Sequence, residues 1–228
     1  MIKVENIETF GLYGAMRGMR NPLNSWDKAD TTVYQGHDKE FVNIGVNDLN
    51  LATRLIKAGM EHRKFLRMIH VQMDVTAPLY WWKEADTYKV GTTANSCSTM
   101  HKIAAKEFTL DDFSHDHLFN DAVVYNGYVS TSVLECVIGA LNEFRNLYLE
   151  TKDKRYWWQM IQLLPSSYNQ RRTWDMSMET LLSILHQRKN HKLDEWNEFR
   201  DICLEQVPYL KEFYEASLKE NNNENSQN

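Results

Sequence analysis

The sequence MIHVQMDVT, residues 68–76, has the clearest strand pattern in the chain. Apolar and polar residues alternate along it, which is typical of a strand with one buried face. The apolar face carries Ile69, Val71, Met73 and Val75. Thr76 can then cap a helix from Ala77 to about Tyr88, with Pro78 in the first turn, where proline is tolerated.

Beyond this stretch, we expect one more strand and several helices. Residues 2–10 mix β-branched and aromatic residues in rough alternation, which predicts a strand. Residues 11–46 are predicted to be loop with short elements. Asn47 or Asp48 can cap a helix that runs through Lys57, and Gly59 is placed to end it. Apolar stripes at helical spacing fill the second half, over residues 133–148, 157–164, 178–185 and 193–218, the last kinked or divided by Pro208.

These elements predict an α+β fold, in which an antiparallel or mixed sheet packs with several helices. We expect a single domain over residues 1–219. Residues 220–228 are polar without an apolar residue, which predicts a disordered tail.

Composition excludes several classes of protein. Of the 228 residues, 43% are hydrophobic, which excludes a disordered chain. The net charge of -5 argues against a general nucleic-acid binder but leaves room for a local basic pocket for one phosphate. No apolar run approaches a membrane span of roughly 20 residues, and the start lacks a signal peptide. Three widely spaced cysteines predict a reduced, cytoplasmic protein, with Cys97 and Cys136 as buried small residues rather than nucleophiles.

The segment Leu164–Trp196 concentrates basic residues and leaves two interpretations open. It holds Arg171, Arg172 and Arg188, with His186 and His191 close by. The forked arginine side chain binds a phosphate or a pyrimidine carbonyl edge through two hydrogen bonds. The other interpretation is a helix face that simply points to solvent.

Another segment, DDFSHDHLF at residues 111–119, contains the residue types that ligate metals. Its spacing matches no metal motif, so a polar loop with an Asp or Ser helix cap is the favoured interpretation. We therefore predict no metal site.

The segments at residues 71–102 and 164–196 together resemble the flavin-dependent thymidylate synthases. In that family a strand leads into Ala-Pro and a helix, and then into the signature RHRxxSxNExSxRY. Here VQMDVTAPLYWWKEADTYKVGTTANSCSTMHK runs through the same register. The later family pattern matches LPSSYNQRRTW, METLLSILHQR and KNHKLDEW, and GAMRGMRNP matches an early arginine-containing segment. The resemblance covers most of residues 1–215.

The resemblance implies a role for particular side chains. Arg171 and Arg188 match arginines that contact the nucleotide, and Arg188 is also expected to act in catalysis. With one residue inserted before Asn95, Ser98 matches the functional serine beside the substrate, which implies both catalysis and substrate binding; without the insertion, Cys97 falls on that position. The implied substrate-binding set is therefore Glu84, Ser98, Arg171 and Arg188, and the flavin-side set is Lys89, Asn95 and His191.

The chain departs from the family where the flavin is held. The RHR triplet falls on Thr87, Tyr88 and Lys89, of which only Lys89 keeps a charge. Each lost charge-assisted hydrogen bond is worth about 1.5–3 kcal/mol. Glu84 stands where the family has a pyrimidine-contacting Gln, and an ionised carboxylate only accepts hydrogen bonds. We therefore hypothesise that Glu84 suits a base that presents donors, such as the amino group of cytosine.

The family's activity is reductive methylation at C5 of dUMP to give dTMP. Reduced folate supplies a methylene group, reduced FAD delivers hydride, and NADPH is the co-substrate that the family implies. The resemblance further implies a homotetramer that binds a pyrimidine nucleotide, with no polymeric nucleic acid and no membrane as partner. The alternative is a non-catalytic nucleotide-binding or sequestering protein that has lost flavin chemistry. A purely structural oligomer is the third interpretation.

Overall fold

The computed structural model describes residues 2–36, 40–119 and 129–218. Internal contacts divide the chain into two compact units. The first unit comprises Met1–Lys3, Val75–Thr87 and Asn95–Thr173, and the second comprises Val4–Asp74, Tyr88–Ala94 and Trp174–Asn228. The single domain over residues 1–219 stays a prediction, and the tail at 220–228 lies outside the described residues.

The strands form a four-stranded sheet and a separate hairpin. In chain order they are β1 (Lys3–Phe10), β2 (Thr32–Gln35), β3 (Glu40–Asn43), β4 (His70–Pro78), β5 (Thr92–Ser96) and β6 (Asn169–Ser177). The sheet has the order β1-β4-β6-β5, and β2 pairs with β3 in an antiparallel hairpin. Backbone hydrogen bonds from Leu79 to Tyr168 and from Met178 to Ile69 close the two ends of the β4–β6 pair, which is therefore antiparallel.

Helices surround these strands in both units. They are α1 (Leu12–Met19), α2 (Val46–Lys57), α3 (Leu79–Ala85), α4 (Thr99–Lys102), α5 (Ser130–Thr151), α6 (Lys154–Leu163), α7 (Met178–Gln187), α8 (Asp194–Gln206) and α9 (Leu210–Leu218). The predicted α+β fold is confirmed. Pro208 separates α8 from α9, as expected for a residue that lacks a backbone N–H.

The strand predicted from the opening stretch is confirmed as β4. Its apolar face is fully inside, because Ile69, Val71, Met73 and Val75 are at most 1% exposed. The following helix is shorter than predicted, since the strand continues to Pro78 and α3 covers only Leu79–Ala85. Backbone carbonyls of Tyr168 and Ser166 accept the first N–H groups of α3, so Thr76 is not its cap.

The prediction of an all-helical second half is wrong at residues 169–177, which form β6. Residues 11–46 also contain more regular structure than predicted, namely α1 and the strands β2 and β3. Cys97 and Cys136 are exposed, so the prediction that they are buried is wrong. Cys203 is buried, and burial raises the pKa of its thiol.

Each unit has its own buried contacts. In the first unit, apolar side chains from α5, α6 and residues 103–113 form one cluster; its buried members are Ile103, Phe108, Phe113, Leu134, Ile138, Leu141 and Met160. In the second unit, Phe65 and Phe213 pack edge to face with ring centroids 6.2 Å apart.

A buried ion pair joins α1 to α2 within the second unit. Arg20 and Asp48 are 3% and 1% exposed, and the Arg20 Nε donates to the Asp48 carboxylate. Thr31 donates to the same carboxylate through its hydroxyl and its N–H. Burial opposes the ionisation of Asp48, but the hydrogen bonds from Thr31 and Arg20 outweigh it and hold the pKa below its ordinary value. Asp30 caps α2 by accepting from the N–H groups of Asn47 and Asp48, in place of the predicted cap by Asn47 or Asp48.

We predict that Asp48→Asn destabilises the protein by about 3–5 kcal/mol, because it leaves the Arg20 charge buried without a counter-charge. A lowered carboxyl pKa stabilises the folded state above the unfolded pKa of about 3.9 and loses that effect as the pH falls through the folded pKa. Urea denaturation from neutral pH to below about pH 3.9 should therefore show a smaller acid-dependent loss of stability in Asp48→Asn than in wild type.

Asp27→Asn, at an exposed carboxylate in the same region, is the matched control and should leave the free energy of unfolding nearly unchanged. An Asp48→Asn variant as stable as this control would contradict the prediction.

Candidate functional site

A cavity of about 610 Å³ lies in the first unit, and both Ser98 and Arg171 line it. The surrounding wall is rich in charge. Its ionisable side chains besides Arg171 are Lys3, Cys97, Lys102, Lys106, Asp111, Asp112, His115, Asp116 and Tyr168. Cavities of this size are typical of sites that hold a small molecule.

Two hydrogen bonds to the backbone of Cys97 pair the residue after β5 with β6. The Cys97 N–H donates to the carbonyl of Arg171 at 3.0 Å, and the Gln170 side-chain amide donates to the carbonyl of Cys97 at 2.8 Å. Ser98 directly follows Cys97, and Arg171 directly follows Gln170. The pairing of the end of β5 with β6 therefore brings both side chains to the same cavity.

The hydroxyl group of Ser98 also caps α4. Its Oγ accepts a hydrogen bond from the N–H of His101 at 3.1 Å. A hydroxyl has one donor as well as acceptor lone pairs, so Ser98 can donate its own proton to a ligand oxygen while it serves as the cap.

The phenol of Tyr168 supplies another donor to the wall of the cavity. Burial raises the pKa of Tyr168, and the nearby Asp112 carboxylate raises it further. The phenol is therefore protonated at neutral pH. Tyr168 also forms an isolated antiparallel bridge with Phe113, which ties the segment around Phe113 to the residue before β6.

The segment at residues 111–119 acts as a capped turn. The Asp112 carboxylate accepts from the N–H and the hydroxyl of Thr109, and it forms an ion pair with Lys106. Across residues 2–36, 40–119 and 129–218, no three His, Cys, Asp or Glu side chains are grouped as a metal site. The favoured interpretation of a polar loop with an Asp cap matches this geometry.

Arg172, one residue from Arg171, has a different role. Successive side chains of a strand point to opposite faces, so β6 separates the two arginines. The Arg172 guanidinium lies over the Trp82 ring at 4.3 Å from its centroid and forms an ion pair with Asp86 at 2.7 Å. The solvated-helix interpretation is wrong for this pair, because both residues belong to a strand.

In the second unit, two aromatic rings hold Arg188. Its Nε donates to the hydroxyl of Tyr88 at 2.8 Å, and its guanidinium lies 5.2 Å from the Tyr88 centroid and 5.0 Å from the Trp196 centroid. His191 lies beside the same Trp196, with ring centroids 6.3 Å apart, and its Nδ1 accepts from the N–H of Leu193. The structure thus groups Arg188 with His191.

None of the remaining predicted residues lines the cavity. Glu84 is half-buried on α3 and Asn95 is exposed on β5, both in the first unit, but neither lines the cavity with Ser98. Lys89 is exposed in the second unit.

Sequence reasoning missed Lys102 and Tyr168 in the cavity, and it missed Tyr88 as the partner of Arg188. The spacing of Lys102, one helical turn after Ser98, was the only signal in the sequence that could have found one of them.

The triplet Thr87–Lys89, which the sequence resemblance aligns with the flavin-holding RHR, makes hydrogen bonds within the protein. The Thr87 hydroxyl donates to the carbonyl of Glu84 at 2.7 Å, and the Tyr88 hydroxyl accepts from Arg188. Lys89 supplies the triplet's sole charge. These residues do not fit a flavin pyrophosphate in the way that the family's RHR triplet does, because two negatively charged phosphates need several charge-assisted donors.

In the part of the chain that the structure describes, no helix combines the length and the apolar character needed to cross a membrane.

Comparisons with known proteins establish the fold. No protein-family model matches the chain, and no curated protein matches it in sequence. Thymidylate Synthase X (ThyX) from Helicobacter pylori, with FAD and dUMP, matches with a TM-score of 0.66 at 16% identity, over 95% of this chain and 99% of that one. A second Helicobacter pylori ThyX structure, also complexed with FAD and dUMP, matches with a TM-score of 0.63 at 15% identity, over 94% and 98% of the two chains.

A UMP/dUMP methylase, PolB from Streptomyces cacaoi bound with 5-Br dUMP, matches with a TM-score of 0.64 at 14% identity, over 96% of this chain and 95% of that one. The predicted likeness to the fold of flavin-dependent thymidylate synthases is therefore confirmed.

Proposed function

We propose, given this fold and the cavity of the first unit, that the protein binds a pyrimidine nucleoside monophosphate. The observation that carries the proposal is that Ser98 and Arg171 line one cavity of about 610 Å³. The sequence resemblance assigns both residues to the nucleotide without any information from the structure. Both belong to the first unit.

The chemistry of the cavity wall suits a nucleotide. Arg171 offers a forked donor for phosphate oxygens, and Lys102 adds a second positive charge on the same wall. The hydroxyls of Ser98 and Tyr168 are neutral donors for phosphate or carbonyl oxygens. Carboxylates such as Asp111 and Asp116 can accept from N–H groups of a base.

Arg188 is proposed as the second arginine that contacts the nucleotide. Its guanidinium is restrained by Tyr88 and Trp196, so little rotamer freedom is lost when it binds an anion. The sequence resemblance assigns this role, and the variants described below test it.

The second candidate function is the methylation reaction itself, with dUMP converted to dTMP by reduced folate, FAD and NADPH. The favouring observation is the match in fold, over 95% of the chain, to a thymidylate synthase that holds FAD and dUMP. For this function the sequence resemblance implies catalysis by Ser98 and Arg188, flavin contacts by Lys89, Asn95 and His191, and a homotetramer. The engaged triplet Thr87–Lys89 counts against it.

Thermal-shift and calorimetric titrations with dUMP and dCMP test nucleotide binding. Wild-type protein is expected to be stabilised by a pyrimidine monophosphate. Arg171→Ala and Arg188→Ala should each remove one charge-assisted contact of about 1.5–3 kcal/mol, which is roughly a tenfold to hundredfold loss of affinity. Arg155→Ala, at an exposed arginine of the same unit as Arg171, is the matched control.

Undiminished binding in Arg171→Ala would place the nucleotide outside the cavity and would sink the proposal. The same titrations test the separate hypothesis that Glu84, which does not line the cavity, recognises the base: on that hypothesis Glu84→Gln weakens dCMP binding relative to dUMP binding. An unchanged preference would remove Glu84 from base recognition while leaving the phosphate contacts in place.

Visible absorbance of the purified protein separates the two candidate functions. We expect flavin far below one per chain, even after added FAD, since the loss of two charge-assisted contacts weakens binding by roughly a hundredfold or more. Thr87→Arg should increase FAD affinity, whereas Thr93→Arg, at an exposed residue of β5, should not. Stoichiometric flavin in the wild type would favour the methylating enzyme instead.

A further inference from the structure

The second unit has a cavity of its own, and none of the residues assigned to the nucleotide or the flavin lines it. It measures about 500 Å³, and residues from the 3-10 turns after α1 and from α2 line it. Its lining residues are Arg20, Leu23, Ser25, Lys28, Asn47, Asn50, Leu51 and Arg54. Three of these side chains carry a positive charge, and the lining contains no carboxylate.

The floor of this cavity is a buried arginine with unused donor capacity. Arg20 is 3% exposed. Its Nε donates to Asp48 and its Nη1 donates to the carbonyl of Ser25 at 3.1 Å. Its Nη2 is buried and has no hydrogen-bond partner among the residues that the structure describes. A buried guanidinium nitrogen without an acceptor is unfavourable, so the site gains from an added oxygen acceptor.

The rim of the cavity is cationic and polar. Lys28 and Arg54 are exposed side chains on opposite segments of the lining, one on the 3-10 turn Trp26–Lys28 and one on α2. Asn47 and Asn50 add amide donors from the same helix. Since Asp48 already balances the charge of Arg20, Lys28 and Arg54 leave two positive charges in excess at the rim.

We infer that this cavity is a second anion site, which binds the phosphate groups of a small phosphorylated molecule. The volume exceeds what a single phosphate fills, and the positive charges come from two separate segments, which fits a ligand with more than one phosphate. A forked arginine at the floor and flexible cations at the rim are the donor types that phosphate oxygens favour. The site does not depend on the nucleotide cavity, since the two share no residue.

Calorimetric titration of the full-length chain with inorganic pyrophosphate tests this site. The titration uses an Arg171→Ala background, in which we expect binding at the nucleotide cavity to be roughly tenfold to hundredfold weaker. It is run at about 0.1 M NaCl, where charges more than about 10 Å apart are largely screened. We expect saturable binding, with higher affinity for pyrophosphate than for inorganic phosphate.

The double variant Lys28→Gln with Arg54→Gln should weaken pyrophosphate binding by at least about tenfold, because two charge-assisted contacts are lost. Both side chains are exposed, so the variant should fold, and its thermal unfolding checks this. Each single variant should lose part of the affinity and serves in place of the double variant if that one unfolds. Lys57→Gln, an exposed cation on α2 outside this lining, is the matched control.

Absent saturable binding, or equal weakening by Lys57→Gln, would overturn the inference. Either result would leave the nucleotide proposal intact, because that proposal is tested with Arg171 in place.

Discussion

The backbone of Cys97 is the constraint on which the candidate site depends. The Cys97 N–H donates to the carbonyl of Arg171, and the carbonyl of Cys97 accepts from the Gln170 side-chain amide. Gln170 is itself held, since its backbone carbonyl accepts from the Trp82 indole at 2.9 Å. Because Ser98 directly follows Cys97 and Arg171 directly follows Gln170, this pairing brings both residues to the wall of one cavity.

The alternation of side chains along β6 places two neighbouring arginines in different surroundings. On β6, Arg171 serves the cavity while Arg172 covers Trp82 and pairs with Asp86. In a helix the two arginines would lie on neighbouring faces and would not be separated in this way. The site therefore depends on a strand that the pattern of residues did not reveal.

The sequence predicted those features that depend on local patterns. The strict alternation of residues 69–75 predicted β4, and Pro208 predicted the break between α8 and α9. β6 was not predicted, because its buried positions include the polar Gln170. Apolar and polar residues therefore do not alternate clearly along this strand. The caps of α2 and α3 come from Asp30 and from the carbonyls of Tyr168 and Ser166, which no local pattern can show.

Local patterns were equally insufficient for the residues of the candidate site. Ser98 and Arg171 were found through motif resemblance, and the structure brings them to one wall. Tyr168 reaches that wall from a turn, and Tyr88 becomes the partner of Arg188, only through long-range packing. The basic cavity around Arg20 likewise assembles from two segments that carry no joint motif.

The proposed function rests on a pyrimidine monophosphate that occupies the cavity of the first unit. Diffraction from crystals grown with 5-bromo-dUMP locates this ligand, because the anomalous signal of bromine marks the base independently of the protein phases. We expect one bromine peak per chain in the cavity lined by Ser98 and Arg171, with the phosphate in contact with Arg171. A peak elsewhere on the chain, or none from crystals saturated with the ligand, would contradict it.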